Sequence, residues 1–136
     1  MRLPQDFTSL YKTAVENKDK QLMCSLYHKN IVFYDVWNDF SLNGIANITS
    51  MINSWFDSIS SENVLVDFEN SETIFDGSAG FSTCSFKFSA QSDQGVEIRH
   101  IKERMTVCFI KENEEWFVTN QHTSVPIHMD TGLGIF

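Results

Sequence analysis

Apolar residues in the first sixty positions recur at helical spacing, with one strand-like interruption. In segment 3–17 the stripe consists of Phe7, Leu10, Tyr11, Ala14 and Val15, which predicts an amphipathic helix. A shorter helix is predicted from Asp19, as the N-cap residue, through Tyr27. A third helix is predicted from Ala46 to Ile59. The strand-like run between the second and third helices is IVFYDVW, from Ile31 to Trp37.

From residue 64 onward the pattern changes to four long strands. Their sequences are VLVDFENSETIF, GFSTCSFKFSA, VEIRHIKERMTVCFIK and WFVTNQHTSV, with turns at 76–77, 93–95 and 112–115. These spacings predict an antiparallel meander. Three helices followed by four strands predict an α+β domain in which the helices pack on one face of a curved sheet. We expect one domain over 1–136, with a core from 3 to 126 and a tail from 127 to 136 that either frays or docks on a partner subunit.

One carboxylate interrupts the apolar pattern of the first strand. Alternation places Asp35 on the same face as Ile31, Phe33 and Trp37, and the opposite face is apolar as well. An ionised carboxylate buried without partners costs several kcal/mol or has a raised pKa. Asp35 is therefore either well paired or a proton-transfer group.

Composition narrows the class of protein. A chain of 136 residues with 42% hydrophobic and 13% aromatic residues is a folded domain with a large core or a cavity. The net charge of -8 disfavours binding to nucleic acid or to an anionic membrane surface. No apolar run approaches the roughly 20 residues of a membrane span, and the first residues do not resemble a signal peptide. We expect a cytoplasmic protein.

Motifs for bound cofactors are missing from the sequence. The three cysteines, Cys24, Cys84 and Cys108, have neither disulfide-framework nor zinc-site spacing, and they are most simply small buried hydrophobes. There is no GxGxxG, no P-loop and no GxSxG nucleophile elbow. We therefore expect no metal and no cofactor.

The order of these elements and several residues resemble the SnoaL-like and ketosteroid-isomerase-like proteins of the nuclear-transport-factor-type superfamily. The residues are Tyr11, Asp19, the FYDVW run, Gly44, Trp116 and the closing QHTSVP, and the resemblance extends to Pro126. It implies a cone-shaped fold, in which three N-terminal helices pack on the concave face of a strongly curved mixed or antiparallel sheet. Members include isomerases, dehydratases, cyclases, epoxide hydrolases and non-catalytic assembly domains, so the fold does not choose the function.

The resemblance also implies roles for individual residues. Tyr11 falls at the position of the oxyanion-hole tyrosine of ketosteroid isomerases, and Asp35 falls at that of their general base. Their third element, a protonated aspartic acid, falls at about Met105, and methionine cannot donate that hydrogen bond. The steroid-isomerase reaction is therefore not expected.

Alternation in the last two strands adds candidate residues. Glu103 shares a side with Met105, so it either supplies a second carboxyl to a pocket or faces solvent beside Arg99 or Arg104. In the last strand one face is predicted to carry Trp116, Val118, Asn120, His122 and Ser124. That face suggests a pocket with an apolar and a polar end. His122 is then either a structural hydrogen-bonding residue or a substrate-orienting one.

Two hypotheses follow for the function. In the first, Asp35 is the general base of a cofactor-independent isomerase or lyase, Tyr11 stabilises the oxyanion, and His122 helps to orient an apolar, oxygen-bearing small molecule. The predicted substrate contacts are Trp37, Trp55, Phe56, Glu103, Met105, Asn120 and Ser124. In the second, the chain is a non-catalytic ligand-binding or dimerisation domain. Both hypotheses include a homodimer, because relatives commonly pair through the outer sheet face.

Overall fold

The computed structural model describes residues 1–136 and contains three α-helices and six strands. A 3₁₀ turn at Pro4–Asp6 precedes the helices α1 (Phe7–Asn17), α2 (Lys20–Ser25) and α3 (Ile45–Ser58). The strands are β1 (Tyr27–Tyr34), β2 (Leu42–Asn43), β3 (Asn63–Asp76), β4 (Ala79–Gln91), β5 (Glu97–Glu112) and β6 (Glu115–Ser124). The three helices and the four long strands predicted from the sequence are confirmed. The sequence did not predict the short strand β2.

Local sequence explains where the first two helices begin and end. Helix α1 ends at Lys18, which adopts the left-handed conformation (φ 52°) and donates its backbone N–H to the carbonyls of Ala14 and Val15. Helix α2 begins at Asp19, whose carboxylate accepts the backbone N–H of Leu22 at 2.9 Å. The predicted N-cap is therefore confirmed, and the two helices are separated by only two residues.

We expect Asp19→Ala to lower the free energy of unfolding by about 1 kcal/mol, because the N–H of Leu22 loses its acceptor. Asp19→Asn should retain most of that energy, since an amide oxygen can accept the same bond. Urea denaturation of the three proteins would measure the difference. An alanine variant as stable as the parent protein would contradict the role of this cap.

The sheet is mixed, with the strand order β2-β1-β6-β5-β4-β3. Strands β1 and β6 are parallel, and every other neighbouring pair is antiparallel. Helix α1 packs against β3, and α3 packs against β1 and α2. The core between the helices and the inward face of the sheet includes the fully buried side chains of Phe7, Phe56, Phe86 and Phe109. No helix combines the length and the hydropathy that crossing a membrane requires.

A β-bulge in β6 changes which residues face the helices. Cys108 of β5 pairs with Asn120, whereas the next residue, Phe109, pairs with Val118, so Thr119 is an extra residue in β6. Before the bulge the buried positions are Trp116 and Val118, and after it they are Gln121 and Thr123. The prediction that Asn120, His122 and Ser124 continue the buried face is wrong, because strict alternation fails at an extra residue.

The C-terminal tail folds back onto its own chain. Ile127 and Gly134 form an isolated antiparallel bridge, and the backbone N–H of Ile135 donates to the carbonyl of Pro126 at 2.8 Å. The Phe136 ring then stacks on Trp37, with ring centroids 5.0 Å apart and planes 7° from parallel. The tail is thus neither frayed nor extended away from the chain.

Candidate functional site

The helices and the inward face of the sheet enclose a cavity of about 670 Å³. Seven aromatic side chains contribute to its walls: Tyr11, Tyr27, Phe33, Trp37, Trp55, Phe86 and Phe88. Four carboxyl groups, those of Asp35, Asp39, Glu62 and Glu103, also line it. A mostly apolar cavity of this volume with a few polar groups is typical of small-molecule sites.

Asp35 lies immediately after the last residue of β1 and is partly buried in the cavity wall. Its Oδ1 accepts the backbone N–H of Val36 at 2.8 Å and the hydroxyl of Thr123 at 3.0 Å. No hydrogen bond joins Oδ2 to a protein group. Burial raises the pKa of Asp35 above its ordinary value, and the two hydrogen bonds partly oppose that rise. The carboxylate is therefore oriented through one oxygen and free at the other.

Glu103 is a second carboxyl in the same cavity. It lies on β5, paired with Phe86 of β4, and only 4% of its surface is exposed. Burial and, to a smaller extent, the charge of Asp35 raise its pKa to about 7, and a hydrogen bond from the Trp37 side chain partly opposes the rise. Of the two alternatives that the sequence left open for Glu103, the inward one is observed. The two carboxyls differ in burial and in hydrogen bonding.

Two tyrosines bring hydroxyl groups to the cavity. The hydroxyl of Tyr27 donates to Oε1 of Gln121 at 2.9 Å, and Gln121 is 1% exposed. The hydroxyl of Tyr11 makes no hydrogen bond to the protein, and no fully buried polar side-chain atom lacks a partner. The Tyr11 hydroxyl therefore faces the open space of the cavity. Burial, then the neighbouring Tyr27 and the acidic side chains, raises the pKa of Tyr11, so this phenol remains a proton donor at neutral pH.

The structure brings together five of the residues predicted for the site: Tyr11, Asp35, Trp37, Trp55 and Glu103 all line the cavity. Phe56 and Met105 are instead buried in the hydrophobic core outside the lining. Phe56 packs against the lining residue Trp55, at a ring-centroid distance of 4.8 Å. The predictions that Phe56 and Met105 contact substrate are corrected accordingly, because inward orientation can lead to the core as well as to the cavity.

The remaining three predicted residues lie away from the cavity lining. His122 is exposed on the outer sheet face, where its ring packs edge-on against Tyr34 at 5.5 Å. The side-chain amide of Asn120 donates to the carbonyl of Val32 at 3.1 Å, a bond between neighbouring strands. Ser124 is partly buried and does not line the cavity. The physical reason for all three corrections is the extra residue Thr119.

Sequence reasoning missed several residues of the cavity. Gln121 and Thr123 belong to the QHTSVP run that carried the family resemblance, but alternation assigned them to the outer face. Tyr27 was interpreted as the end of the second helix, although it begins β1. The hydroxyls of Tyr27 and Thr123 donate to Gln121 and Asp35, respectively. Only with the bulge known could Gln121 and Thr123 have been placed on the inward face.

The basic groups that line the cavity are already engaged by acids. Arg99 pairs with Glu62, and Nδ1 of His100 lies 2.7 Å from Oε1 of Glu97. No Lys lines the cavity. No three His, Cys, Asp or Glu side chains are grouped closely enough to hold a metal ion.

Comparison with known families identifies the fold. A sequence profile described as the SnoaL-like domain matches residues 5–128. The chain belongs to the SnoaL-like domain family. The predicted family and the cone-type α+β fold are therefore confirmed. Comparison with curated protein sequences gives no match.

Solved structures similar to this SnoaL-like domain cover most of its length at low identity. An NTF2-like protein of unknown function from Pseudomonas putida has a TM-score of 0.87 and 17% identity, covering 97% of this chain and 90% of that one. An NTF2-like superfamily protein from Salmonella enterica has a TM-score of 0.70 and 18% identity, with coverages of 94% and 92%. Aln2 from a Streptomyces species has a TM-score of 0.77 and 9% identity, with coverages of 88% and 86%. These similarities concern the fold alone.

Thr123→Val should raise the pKa of Asp35, because the Thr123 hydroxyl donates to the carboxylate and favours its charged form. The lost bond should also lower the free energy of unfolding by about 1 kcal/mol. Carbon-13 NMR titration of the Asp35 carboxyl would measure the shift. Thr119→Val, at the bulge, is the matched control and should leave this titration unchanged. Identical titrations of Asp35 in all three proteins would contradict the role of Thr123.

Proposed function

We propose that this SnoaL-like domain is a cofactor-independent enzyme of isomerase or lyase type, in which Asp35 removes a proton from a mainly apolar, oxygen-bearing substrate. The observation that supports this most is the pairing of two groups in one aromatic cavity. The Asp35 carboxylate is held through one oxygen, and the Tyr11 hydroxyl has no protein partner. A fixed base and a free phenol in the same cavity suit the formation of an enolate.

Each group has a defined part in the proposed reaction. The raised pKa of Asp35 makes this carboxylate a stronger base than an exposed aspartate. Its Oδ2 accepts the proton from the carbon next to a carbonyl group. The electron pair of that C–H bond forms a carbon–carbon double bond, and the π pair of the carbonyl group moves to the carbonyl oxygen. The Tyr11 hydroxyl donates a hydrogen bond to the resulting oxyanion. An isomerase then returns the proton to another carbon, whereas a lyase expels a leaving group.

The aromatic walls and Glu103 are assigned to substrate contact. Trp37 and Trp55 supply apolar contact area for the substrate. Glu103 is the most deeply buried of the acidic residues that line the cavity. His122 has no role in this proposal, because its side chain lies on the outer sheet face.

Deuterium exchange tests the proposal without knowledge of the natural substrate. A panel of aromatic and alicyclic ketones is incubated with the protein in heavy water, and NMR measures deuterium incorporation next to the carbonyl. We expect at least one ketone to exchange faster with the parent protein than with Asp35→Asn. Binding of ketones without exchange would contradict catalysis and support a non-catalytic binding domain.

The alternative, a non-catalytic ligand-binding or dimerisation domain, has its own supporting observation. Met105 is a buried core residue, so no second neutral donor stands beside Tyr11 at the position that the family resemblance suggested. For such a domain, Asp35→Asn would change stability without changing the affinity for any neutral ligand.

We also propose a homodimer formed through the outer sheet face. Ile74, Phe81 and Ile110 are 61%, 44% and 38% exposed. Ile74 pairs with Phe81, and Phe81 pairs with Cys108, so these side chains form one apolar patch opposite the helices. Such a patch favours association. Size-exclusion chromatography with light scattering tests this, and a monomeric mass at high protein concentration would contradict it.

A further inference from the structure

The carboxyl groups of Asp35 and Glu103 have no cationic partner. Ten ion pairs connect the acidic and basic side chains of the protein, and neither Asp35 nor Glu103 belongs to one. Arg99, the one Lys or Arg residue of the lining, is held by Glu62. A ligand in this cavity therefore meets an excess of negative charge.

Glu103 is aimed at the cavity, and the one protein donor that faces its carboxyl group is the side chain of Trp37, another residue of the lining. It is 4% exposed, and no fully buried polar side-chain atom lacks a partner, so its carboxyl group reaches the open cavity space. Buried carboxylates in proteins are normally paired with a cation or with several donors. A cationic partner for the Glu103 carboxyl group would therefore have to come from a ligand in the cavity.

The walls beside these carboxyls are suited to a cation as well. Indole and phenyl faces attract ammonium groups through their quadrupole, and Trp faces do so best. Trp37 and Trp55 both line the cavity, and Trp55 packs edge-on against Phe88 at 5.6 Å. Aromatic faces together with carboxylates form the usual recognition chemistry for an amine with an apolar body.

We infer that the ligand of this cavity is a cationic amine with an apolar body, whose ammonium group pairs with Glu103 while Asp35 remains available for proton transfer. This inference deepens the proposed function, because it rests on the cavity being the substrate site and names the substrate class. An anionic ligand of the same shape should be rejected, since no unpaired base lines the cavity.

The release or uptake of protons on binding distinguishes an ammonium ligand from a neutral ligand whose oxygen accepts a hydrogen bond from Glu103. The pKa of Glu103 in the free protein is about 7, so a large fraction of these carboxyls is protonated at neutral pH. An ammonium ligand favours the ionised form, and its binding releases protons to the buffer. A ligand oxygen that accepts a hydrogen bond from protonated Glu103 would instead cause proton uptake.

The experiment uses three probes of one shape: naphthylethylamine, naphthylethanol and naphthylacetate. Isothermal titration calorimetry at pH 7, in two buffers of different ionisation enthalpy, gives affinity and proton transfer together. We expect the amine to bind about tenfold more tightly than the alcohol and to release protons. We expect the carboxylate not to bind measurably.

Two variants test whether Glu103 causes the preference for the amine over the alcohol. Glu103→Gln should weaken binding of the amine about tenfold, abolish proton release, and change binding of the alcohol less than about twofold. Glu115→Gln removes an exposed, unpaired carboxylate from the start of β6 and is the matched control for net charge. If Glu103→Gln fails to fold, the parent protein gives the same information, because affinity for the amine should fall about tenfold per pH unit well below pH 7.

The outcomes separate this inference from the proposed function. Equal or tighter binding of the alcohol, or proton uptake with the amine, would overturn the amine inference and leave the cavity as the substrate site. A lack of binding by all three probes, together with no exchange of any ketone, would contradict both. Equal loss of amine affinity in Glu103→Gln and Glu115→Gln would reduce the effect to net charge and also overturn the inference.

Discussion

Asp35→Asn is expected to slow proton abstraction by roughly 10²–10⁴-fold, which is the usual contribution of a positioned general base. The substitution keeps the shape of the side chain. The Asn oxygen can still accept from the N–H of Val36 and the hydroxyl of Thr123, so the loop after β1 should keep its conformation. The amide, however, cannot take up a proton at neutral pH. Deuterium exchange into a responsive ketone, with the variant and the parent compared at the same ketone saturation, measures the effect.

The stability of the variant provides the internal control for that experiment. Because burial raises the pKa of Asp35, removing the charge should leave the free energy of unfolding at pH 8 unchanged or higher. Asp76→Asn, at the exposed C-terminal end of β3, removes the same charge outside the cavity lining and should exchange ketones as the parent protein does. Equal rates in Asp35→Asn and the parent protein would refute the assignment of the base.

Glu103→Gln is expected to stabilise the protein in alkaline solution, by about 3 kcal/mol at pH 8. The ordinary pKa of a glutamate is 4.5, and burial raises that of Glu103 to about 7 in the folded state. Between these two values the unfolded chain has lost the proton that the folded chain still holds. Stability of the parent protein therefore falls as the pH rises from 4.5 to 7, and this loss is complete above pH 7. A glutamine has no proton to lose and escapes that penalty.

Urea denaturation at a series of pH values measures this difference. The two proteins should have similar stability at pH 4.5, diverge through pH 7 and remain apart by a constant amount above it. Glu115→Gln should follow the parent protein at every pH, because this residue is exposed. A difference between Glu103→Gln and the parent protein that is independent of pH would show that the substitution acts through packing rather than through ionisation.

Local patterns in the sequence predicted the helices and the site residues Tyr11 and Asp35. The helical stripe of α1 includes Tyr11, and the capping carboxylate of Asp19 precedes α2; both signals lie within one or two helical turns. Asp35 stood out because a charge within an apolar run is anomalous in any fold. Alternation put Glu103 on the same side as Met105 but left open whether that side faced a pocket or solvent. The inward position is observed, and β4 and β5 pair without a bulge across that part of the strand.

The polar end of the cavity could not be predicted in the same way. Thr119 has no feature that distinguishes a bulged residue from a regular one, and a bulge appears only when β6 is aligned with β5. Because side chains alternate along a strand, one extra residue puts Gln121 and Thr123 on the inward face, where unbroken alternation had placed Asn120 and His122. The two-residue strand β2 was missed for a related reason, because it is defined by its pairing with β1 rather than by a pattern of its own.

The parallel pairing of β1 with β6 has a consequence for the order in which the protein acquires its function. The hydrogen bond from Thr123 to Asp35 joins residues 88 positions apart, whereas α1, α2 and the β3–β4 hairpin are held by much shorter separations. Contacts of such long range carry the largest loop-closure entropy and are slow to form. During synthesis the proposed base emerges early, but it lacks its hydrogen bond from Thr123 until β6 is added. Competence at this site is therefore a property of the finished chain, and a truncated or incompletely folded copy lacks it.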